Sequence, residues 1–313
     1  MDNSFFEIIE KLSKNVSYRE TSLCIGTFDG VHKGHQKLFE ELLKVSKKRN
    51  FLSLAFVFES RPREIINKDS FRPYILTFQD RIKKIKRNKL DEIIKVNFDD
   101  EIRNLTSEEF LKLLRKKINL KCLVVSKNTK IGKDQKSGDI LKEICSKLEI
   151  EFYSIDMTSN FENLVSSSNI LGLIKNGEME KTNSMLGENF YLIGKVEQGD
   201  KIGRTIGFPT ANLSVKEIIQ LPGDGIYASL VEIDNKNYFG ALSIGTRPVI
   251  ENDDSRKIEV YIIDFNKNIY GKEIKVSIIT KIRNQTKYNS IEELKIQIEK
   301  DITEINKILR NGK

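Results

Sequence analysis

Histidine is nearly absent from this chain of 313 residues: there are two, His32 and His35, three positions apart. Histidines at that spacing can ligate zinc, but no cysteine or carboxylate cluster completes a tetrahedral set around them, which argues against a metal centre. Cysteine is scarce as well. Cys24, Cys122 and Cys145 are odd in number and form no CxxC pair, which excludes a disulfide framework and fits reduced thiols in the cytosol. No apolar run approaches the ~20 residues a membrane span needs, and the N-terminal stretch Met1 to Glu7 lacks a basic region followed by an apolar one. These absences predict a soluble cytoplasmic protein with no membrane partner.

Basic residues outnumber acidic ones, 53 to 45, for a net charge of +8. The densest basic run is Arg81-Ile82-Lys83-Lys84-Ile85-Lys86-Arg87. With Ile82 and Ile85 at helical spacing and no aromatic stacking residues nearby, it reads as a surface helix with a solvated charged face rather than an RNA patch. The charge is then mild help for anionic nucleotides, with no nucleic-acid partner.

The length suggests two domains. Up to about residue 155, apolar segments alternate with helical patterns: Leu23–Ile25, Leu54–Phe58, Ile93–Val96, Cys122–Val125 and Phe152–Ile155 read as strands. Thr106 and Glu109 form a capping-box pattern between two of them. This alternation predicts a doubly wound parallel α/β sheet, with ligands at the carboxyl ends of its strands. From residue 187 the pattern changes to short strands, Tyr191–Val196, Gly225–Val231, Phe239–Ile244, Ile258–Ile263 and Ile274–Ile279, which suggests an all-β closed barrel. Ser290 and Glu293 then cap a last helix whose stripe of Ile291, Leu294, Ile298, Ile302, Ile305 and Leu309 is expected to pack on the barrel. The domains expected are 1–186 and 187–313.

Both histidines belong to Gly26-Thr27-Phe28-Asp29-Gly30-Val31-His32-Lys33-Gly34-His35, a strand-to-helix turn between Leu23–Ile25 and an amphipathic pattern at Leu38, Leu42 and Val45. Its glycines let backbone N–H groups approach an anion at a helix N-terminus, and two imidazoles can face one ligand. An ordinary tight turn with surface histidines is the simpler reading; the strand–helix context favours phosphate handling. The second cluster is Gly203-Arg204-Thr205-Ile206-Gly207-Phe208-Pro209-Thr210-Ala211-Asn212. Its glycines allow close approach to phosphates, Pro209 stiffens the turn, and Thr210 and Asn212 offer oxygens suited to Mg²⁺; taken alone, it could equally be an ordinary loop.

Taken together, GTFDGVHKGH, GRTIGFPTAN, Ile244 to Pro248 (IGTRP), the strand with Glu259, Tyr270-Gly271-Lys272 and Ile282-Arg283 before the last helix resemble the bacterial bifunctional riboflavin kinase/FMN adenylyltransferase (FAD synthetase) family over nearly the whole chain. The resemblance implies a Rossmann-like nucleotidyltransferase domain followed by a six-stranded closed barrel with a C-terminal helix. It implies that the barrel phosphorylates riboflavin, with Gly203, Arg204, Gly207, Pro209, Thr210 and Asn212 on ATP, Thr210 and Asn212 holding Mg²⁺, and Glu259 as general base. It also implies that the first domain adenylates FMN, with pyrophosphate leaving. There His32 and His35 would be the catalytic pair, and Gly26, Phe28, Asp29, Gly30, Gly34, Asn128, Ser166 and Ser167 would join them on ATP.

Two segments depart from the family pattern. Ser126 to Gly132 keeps Asn128 and Gly132 but lacks the first glycine and both phenylalanines, and Leu171 stands where an arginine would meet the phosphates. A leucine supplies neither charge nor paired donors. A riboflavin kinase whose first domain only binds nucleotide, or acts as a regulatory module, is therefore the alternative. The sequence leaves the oligomeric state open.

Overall fold

The computed structural model describes residues 4–16, 19–67, 69, 71–156, 165–199, 202–245 and 256–311. The chain divides into two compact units, Met1–Ser167 and Ser168–Lys313. Of the IGTRP segment, Thr246, Arg247 and Pro248 lie outside the described residues.

The first unit runs α1 (Phe5–Val16), β1 (Thr21–Gly26), a 3₁₀ turn (Asp29–Val31), α2 (Lys33–Arg49), β2 (Leu52–Phe58), α3 (Pro62–Ile66), α4 (Phe78–Lys86), β3 (Glu92–Val96), α5 (Asp100–Arg103), α6 (Ser107–Lys117), β4 (Leu120–Ser126), α7 (Gly138–Lys147) and β5 (Glu151–Ile155). The strands form one parallel sheet in the order β3-β2-β1-β4-β5. Successive side chains of a strand face opposite ways, so Leu23, Leu54, Phe56 and Leu123 enter one core with α1 and α6, while Cys24, Ala55, Val57 and Val124 enter the other with α2 and α4. Burial on both faces is why the central strands β1, β2 and β4 are largely apolar rather than alternating, while the edge strands β3 and β5 carry exposed polar residues. The reading of this half as a doubly wound parallel sheet holds. Helix α6 carries the expected capping box, Thr106 with Glu109. Helix α1, which the sequence reading did not pick out, buries Phe5, Ile9, Leu12 and Val16 at the recurrence of an amphipathic helix.

The second unit opens with α8 (Ser167–Asn176) and α9 (Met179–Leu186) and continues with β6 (Tyr191–Glu197), α10 (Ile202–Thr205), β7 (Thr210–Val215), β8 (Gly225–Ile233), β9 (Lys236–Gly245), β10 (Lys257–Ile262), β11 (Glu273–Arg283) and α11 (Ile291–Asn311). Strands β6 to β11 close a six-stranded antiparallel barrel in the order β10-β7-β6-β11-β8-β9. Five of the six were marked by apolar patterning. The sixth, β7, lay under the glycine-rich cluster; its signal is the short alternation in which Ala211 and Leu213 are buried while Thr210 and Asn212 stay half-exposed.

The stripe on α11 behaves in two ways. Ile305 and Leu309, with Ile302 beside them, pack on Ala228 and Ile263 as expected. Ile291 is exposed, and with Leu294 it lines a cleft at the barrel end. An apolar stripe therefore serves the core in its C-terminal half and a ligand-sized opening in its N-terminal half. Ser290 Oγ accepts from Glu293 N at 3.1 Å, while the Glu293 carboxyl reaches Asn289 N at 3.0 Å, one residue short of a closed capping box.

Candidate active sites

In the first unit, β1 ends at Gly26, and the chain turns through Phe28, Gly30 and Val31 with φ of 50°, 77° and 44° before α2 begins. Positive φ is costly for phenylalanine and more so for a β-branched valine, and such strain gathers at functional turns. Gly26 leaves room for the Phe28 ring, which would stand 3.1 Å from a Cβ. His32 occupies the N-cap of α2 in extended conformation with no side-chain cap. The two imidazoles stack with centroids 3.7 Å apart and planes 18° apart, and Phe28 meets His35 edge-on.

Both rings are buried, His32 at 1% and His35 at 9% exposure. Burial, with the Lys84 ammonium behind it, pushes the His32 imidazole down to about 3; burial, His32 and Lys84 hold His35 well below its ordinary value. The rings are therefore neutral at physiological pH, each with one N–H to donate. Nδ1 of each is buried and lacks a hydrogen-bond partner among the described residues. Neutral donors at a helix N-terminus suit a polyphosphate, because they stabilise added negative charge without needing to lose a proton.

The turn borders a cavity of about 920 Å³, with Gly26, Thr27, Phe28 and His35 on its wall. Phe58, Phe98 and Phe110 give it an aromatic side, and the altered segment contributes Ser126, Thr129 and Gly132. Gly132 is required: its φ is +74°, and a Cβ would overlap Ser107 N.

Not every expected residue faces this cavity. Asp29 turns inward: its carboxyl accepts from Ile75 N and Leu76 N and pairs with Arg61 Nη2 at 2.8 Å. Burial pushes that carboxyl up, while Arg61 and the backbone donors work against the shift. Asp29 thus shapes the loop from behind. Ser167 Oγ donates to Asp29 O at 3.0 Å, which brings it and the neighbouring Ser166 to the turn. Gly34 is buried in the first turn of α2, and Asn128 is exposed beside the wall residue Thr129.

Here the structure corrects the reading of the basic run. It does form a helix, but its charged face is not wholly solvated: Lys83 is exposed, whereas Arg81 and Lys84 are 2% and 7% exposed. Arg81 Nη1 donates to Thr27 O at 2.7 Å and Phe58 O at 3.0 Å, and Lys84 Nζ donates to Gly30 O at 2.8 Å. The signal was present. Arg81 lies four residues from the fully buried Ile85, so it shares the apolar side of the helix.

In the barrel, β10 pairs with β7 so that Glu259 stands opposite Asn212 and Tyr261 opposite Thr210. Thr210 Oγ1 donates to Glu259 Oε2 at 3.3 Å. The strand pattern left the facing of Glu259 undecided; this register resolves it. A Cβ at Gly199 would push the Asn212 amide aside, and Gly203 is needed because one there would overlap the Phe208 carbonyl. Gly207 has φ +92°, Arg204 is exposed on α10, and exposed Pro209 leads into β7.

Glu259 lines a cleft of about 490 Å³ together with Ser243, Arg283, Gln285, Tyr288 and Leu294. Arg283 is held there by a buried carboxylate: Nε and Nη2 reach Asp301 Oδ1 and Oδ2 at 2.9 and 2.7 Å. That fork keeps the guanidinium firmly protonated despite partial burial. Sequence reading missed Asp301, since a lone acid inside an amphipathic helix carries no mark of the strand it will meet. No group of three or more His, Cys, Asp or Glu able to hold a metal occurs among the described residues.

Two anion-suited sites on two folds agree with what the chain is similar to. The FAD synthetase family model matches residues 14–169, and the riboflavin kinase model matches residues 186–309. The bifunctional riboflavin kinase/FMN adenylyltransferase of Buchnera aphidicola from Schizaphis graminum is 35% identical over 307 residues, 96% of each chain. Its counterpart in Escherichia coli K12 is 32% identical over 286 residues, 89% of this chain and 90% of that one. A crystal structure described as a macrolide-efflux protein of Streptococcus pneumoniae shares the fold, with a TM-score of 0.83 at 30% identity over 93% of this chain and 95% of that one. Among the described residues no helix is long and apolar enough to cross a membrane. The FAD synthetase match over the first unit disfavours the single-activity reading. The chain belongs to the bifunctional riboflavin kinase/FMN adenylyltransferase family.

Proposed function

We propose that this chain makes FMN from riboflavin and ATP in its barrel, assigned to residues 187–313, and FAD from FMN and a second ATP in residues 1–186. The observation that supports the kinase half is the register that sets Glu259, a wall residue of the cleft, opposite Asn212 and within hydrogen-bond reach of Thr210. Phosphoryl transfer is mostly positioning and charge neutralisation. Glu259 accepts the proton of the riboflavin 5′-hydroxyl as the hydroxyl oxygen attacks the γ-phosphorus, whose bond to the β,γ-bridging oxygen breaks to release ADP. The loop with Gly203, Arg204, Gly207 and Pro209 lies against the ATP phosphates. Thr210 Oγ1 and the Asn212 side-chain oxygen are hard donors beside a carboxyl, a set that fits Mg²⁺ completed by phosphate oxygens and water. When bound, that ion would neutralise charge on the phosphates.

In the first unit the FMN phosphate attacks the α-phosphorus of ATP and pyrophosphate departs. Neutral His32 and His35 donate to the triphosphate as charge builds, at the N-terminus of α2. Gly26, Phe28, Gly30 and Gly34 bring backbone to the nucleotide, and Asn128, Ser166 and Ser167 complete its surroundings. The partners are these small molecules. The compartment is the cytoplasm, consistent with three buried unpaired cysteines.

The test is to incubate the chain with riboflavin, ATP and Mg²⁺ and resolve the flavins by chromatography. Glu259→Gln is expected to abolish FMN formation while still converting supplied FMN to FAD. His32→Ala is expected to leave FMN formation intact and to slow FAD formation by about 10²- to 10³-fold, the scale of one lost oxyanion donor. Loss of the same step in both variants would refute the division of labour.

A further inference from the structure

Charged side chains are rarely buried unless their groups find partners, and the Arg81 Nη1 and Nη2 atoms and the Lys84 ammonium all find theirs in backbone carbonyls. One helical turn apart on α4, both spend donors on carbonyls of one short loop: Arg81 on Thr27 O and Lys84 on Gly30 O. Between these two carbonyls, Asp29 O accepts from Ser167 Oγ. No cis peptide occurs among the described residues, and in a planar trans peptide the N–H points opposite the C=O. With three carbonyls held from behind, the N–H groups of Phe28 and Gly30 point away from the holding donors, while Val31 N–H closes on Phe28 O at 3.0 Å. Backbone N–H groups turned outward from a short loop form a concavity for anions. The positive φ of Phe28 and Val31 is the strain this arrangement sustains.

We infer that Arg81, Lys84 and Ser167 are positioning residues which, by gripping the carbonyls of Thr27, Gly30 and Asp29, turn the loop's N–H groups into a cradle for a polyphosphate. None of the three needs to touch the nucleotide through the group that holds the loop. Lys84 has a second effect, since its charge helps keep both imidazoles neutral donors. This inference rests on the reading of the first unit as the nucleotide-handling half; it adds Arg81 and Lys84, which that reading does not use, and gives Ser167 a second, loop-holding role.

His32 and His35 are the chain's two histidines, so their ring signals in a histidine-labelled NMR sample report this loop alone. Inorganic pyrophosphate titrated into the full chain is expected to shift them. The midpoint is expected to rise at least tenfold in Lys84→Met and two- to fivefold in Ser167→Ala, whose half-buried side chain makes it the safer variant for folding. Riboflavin phosphorylation in the same samples checks that the barrel unit is intact. Midpoints within twofold of the unaltered chain in both variants overturn the inference, as do ring signals of the unaltered chain that ignore pyrophosphate. FAD formation measured in parallel judges the adenylyltransferase reading separately: its absence beside an intact pyrophosphate response sinks that reading and leaves the cradle standing.

Discussion

A neutral buried imidazole ties the stability of the first unit to pH with a definite sign. In the unfolded chain each histidine titrates near its ordinary value of about 6.5, whereas in the folded chain burial drives His32 down to about 3 and His35 well below normal. Below pH ~6.5 the unfolded chain takes up protons that the folded one refuses. Stability is therefore fully present above that pH and falls as acid is added, by up to about 1.4 kcal/mol per pH unit for each ring. Denaturant melting of the first unit at pH 7 and pH 5.5 is expected to show this loss, and His35→Gln to remove about half of it. Equal slopes in the two proteins would refute the buried-neutral assignment. The two rings also leave no inflection near pH 6.5 in the rate of adenylyl transfer.

At the scale of elements, what was legible in the sequence followed from periodicity. Strands β1, β2 and β4 were readable because both of their faces are buried, β3 and β5 from shorter apolar runs, and α6 because Thr106 and Glu109 announce its start. The His32–His35 turn was readable because scarcity concentrated the signal. The burial of Arg81 was marked by its place on the apolar side of α4, but the partners of Arg81, Lys84 and Asp301 were hidden for one shared reason: they are backbone carbonyls or a side chain brought near by tertiary contact, which no local pattern encodes. Gly132 stands between these cases. The sequence retained it without saying why, and the structure supplies the reason. Lys133 N bonds Leu105 O at 2.8 Å and Asp134 Oδ1 accepts from Ser107 N at 2.8 Å, so the segment docks on the start of α6 and leaves no space for a methyl group. Gly132→Ala is expected to destabilise the first unit by more than about 3 kcal/mol, the sum of a positive-φ penalty and a backbone clash. Thermal melts should show that loss together with reduced FAD formation, while FMN formation by the barrel is unchanged. A Tm within 2–3 °C of the unaltered chain, roughly 1 kcal/mol for a unit of this size, would refute it.

At the scale of the whole molecule, the change of pattern at residue 187 and the physical division of the chain are separate questions. The family models stop at 169 and resume at 186, and the compact units part at 167/168, so α8 and α9 travel with the barrel. Their attachment is specific. The Asn183 side-chain amide donates to Ile278 O and Ile279 O and accepts from Phe190 N at 2.7 Å, and Ile174 O accepts from Gly223 N at 3.1 Å. Met179, Met185 and Leu186 are buried in that unit, each worth about 1.5–3 kcal/mol. A fragment of residues 187–313 would expose the surface they cover and leave the Ile278 and Ile279 carbonyls without the Asn183 donor, a loss comparable to the whole stability of a small domain. Residues 168–313 are accordingly expected to melt cooperatively and to phosphorylate riboflavin at the rate of the full chain. Residues 187–313 are expected to melt at least 10 °C lower or to show no cooperative transition. Calorimetry on the two fragments decides the matter: coincident melting curves would mean that the two helices are passengers and that the barrel stands without them.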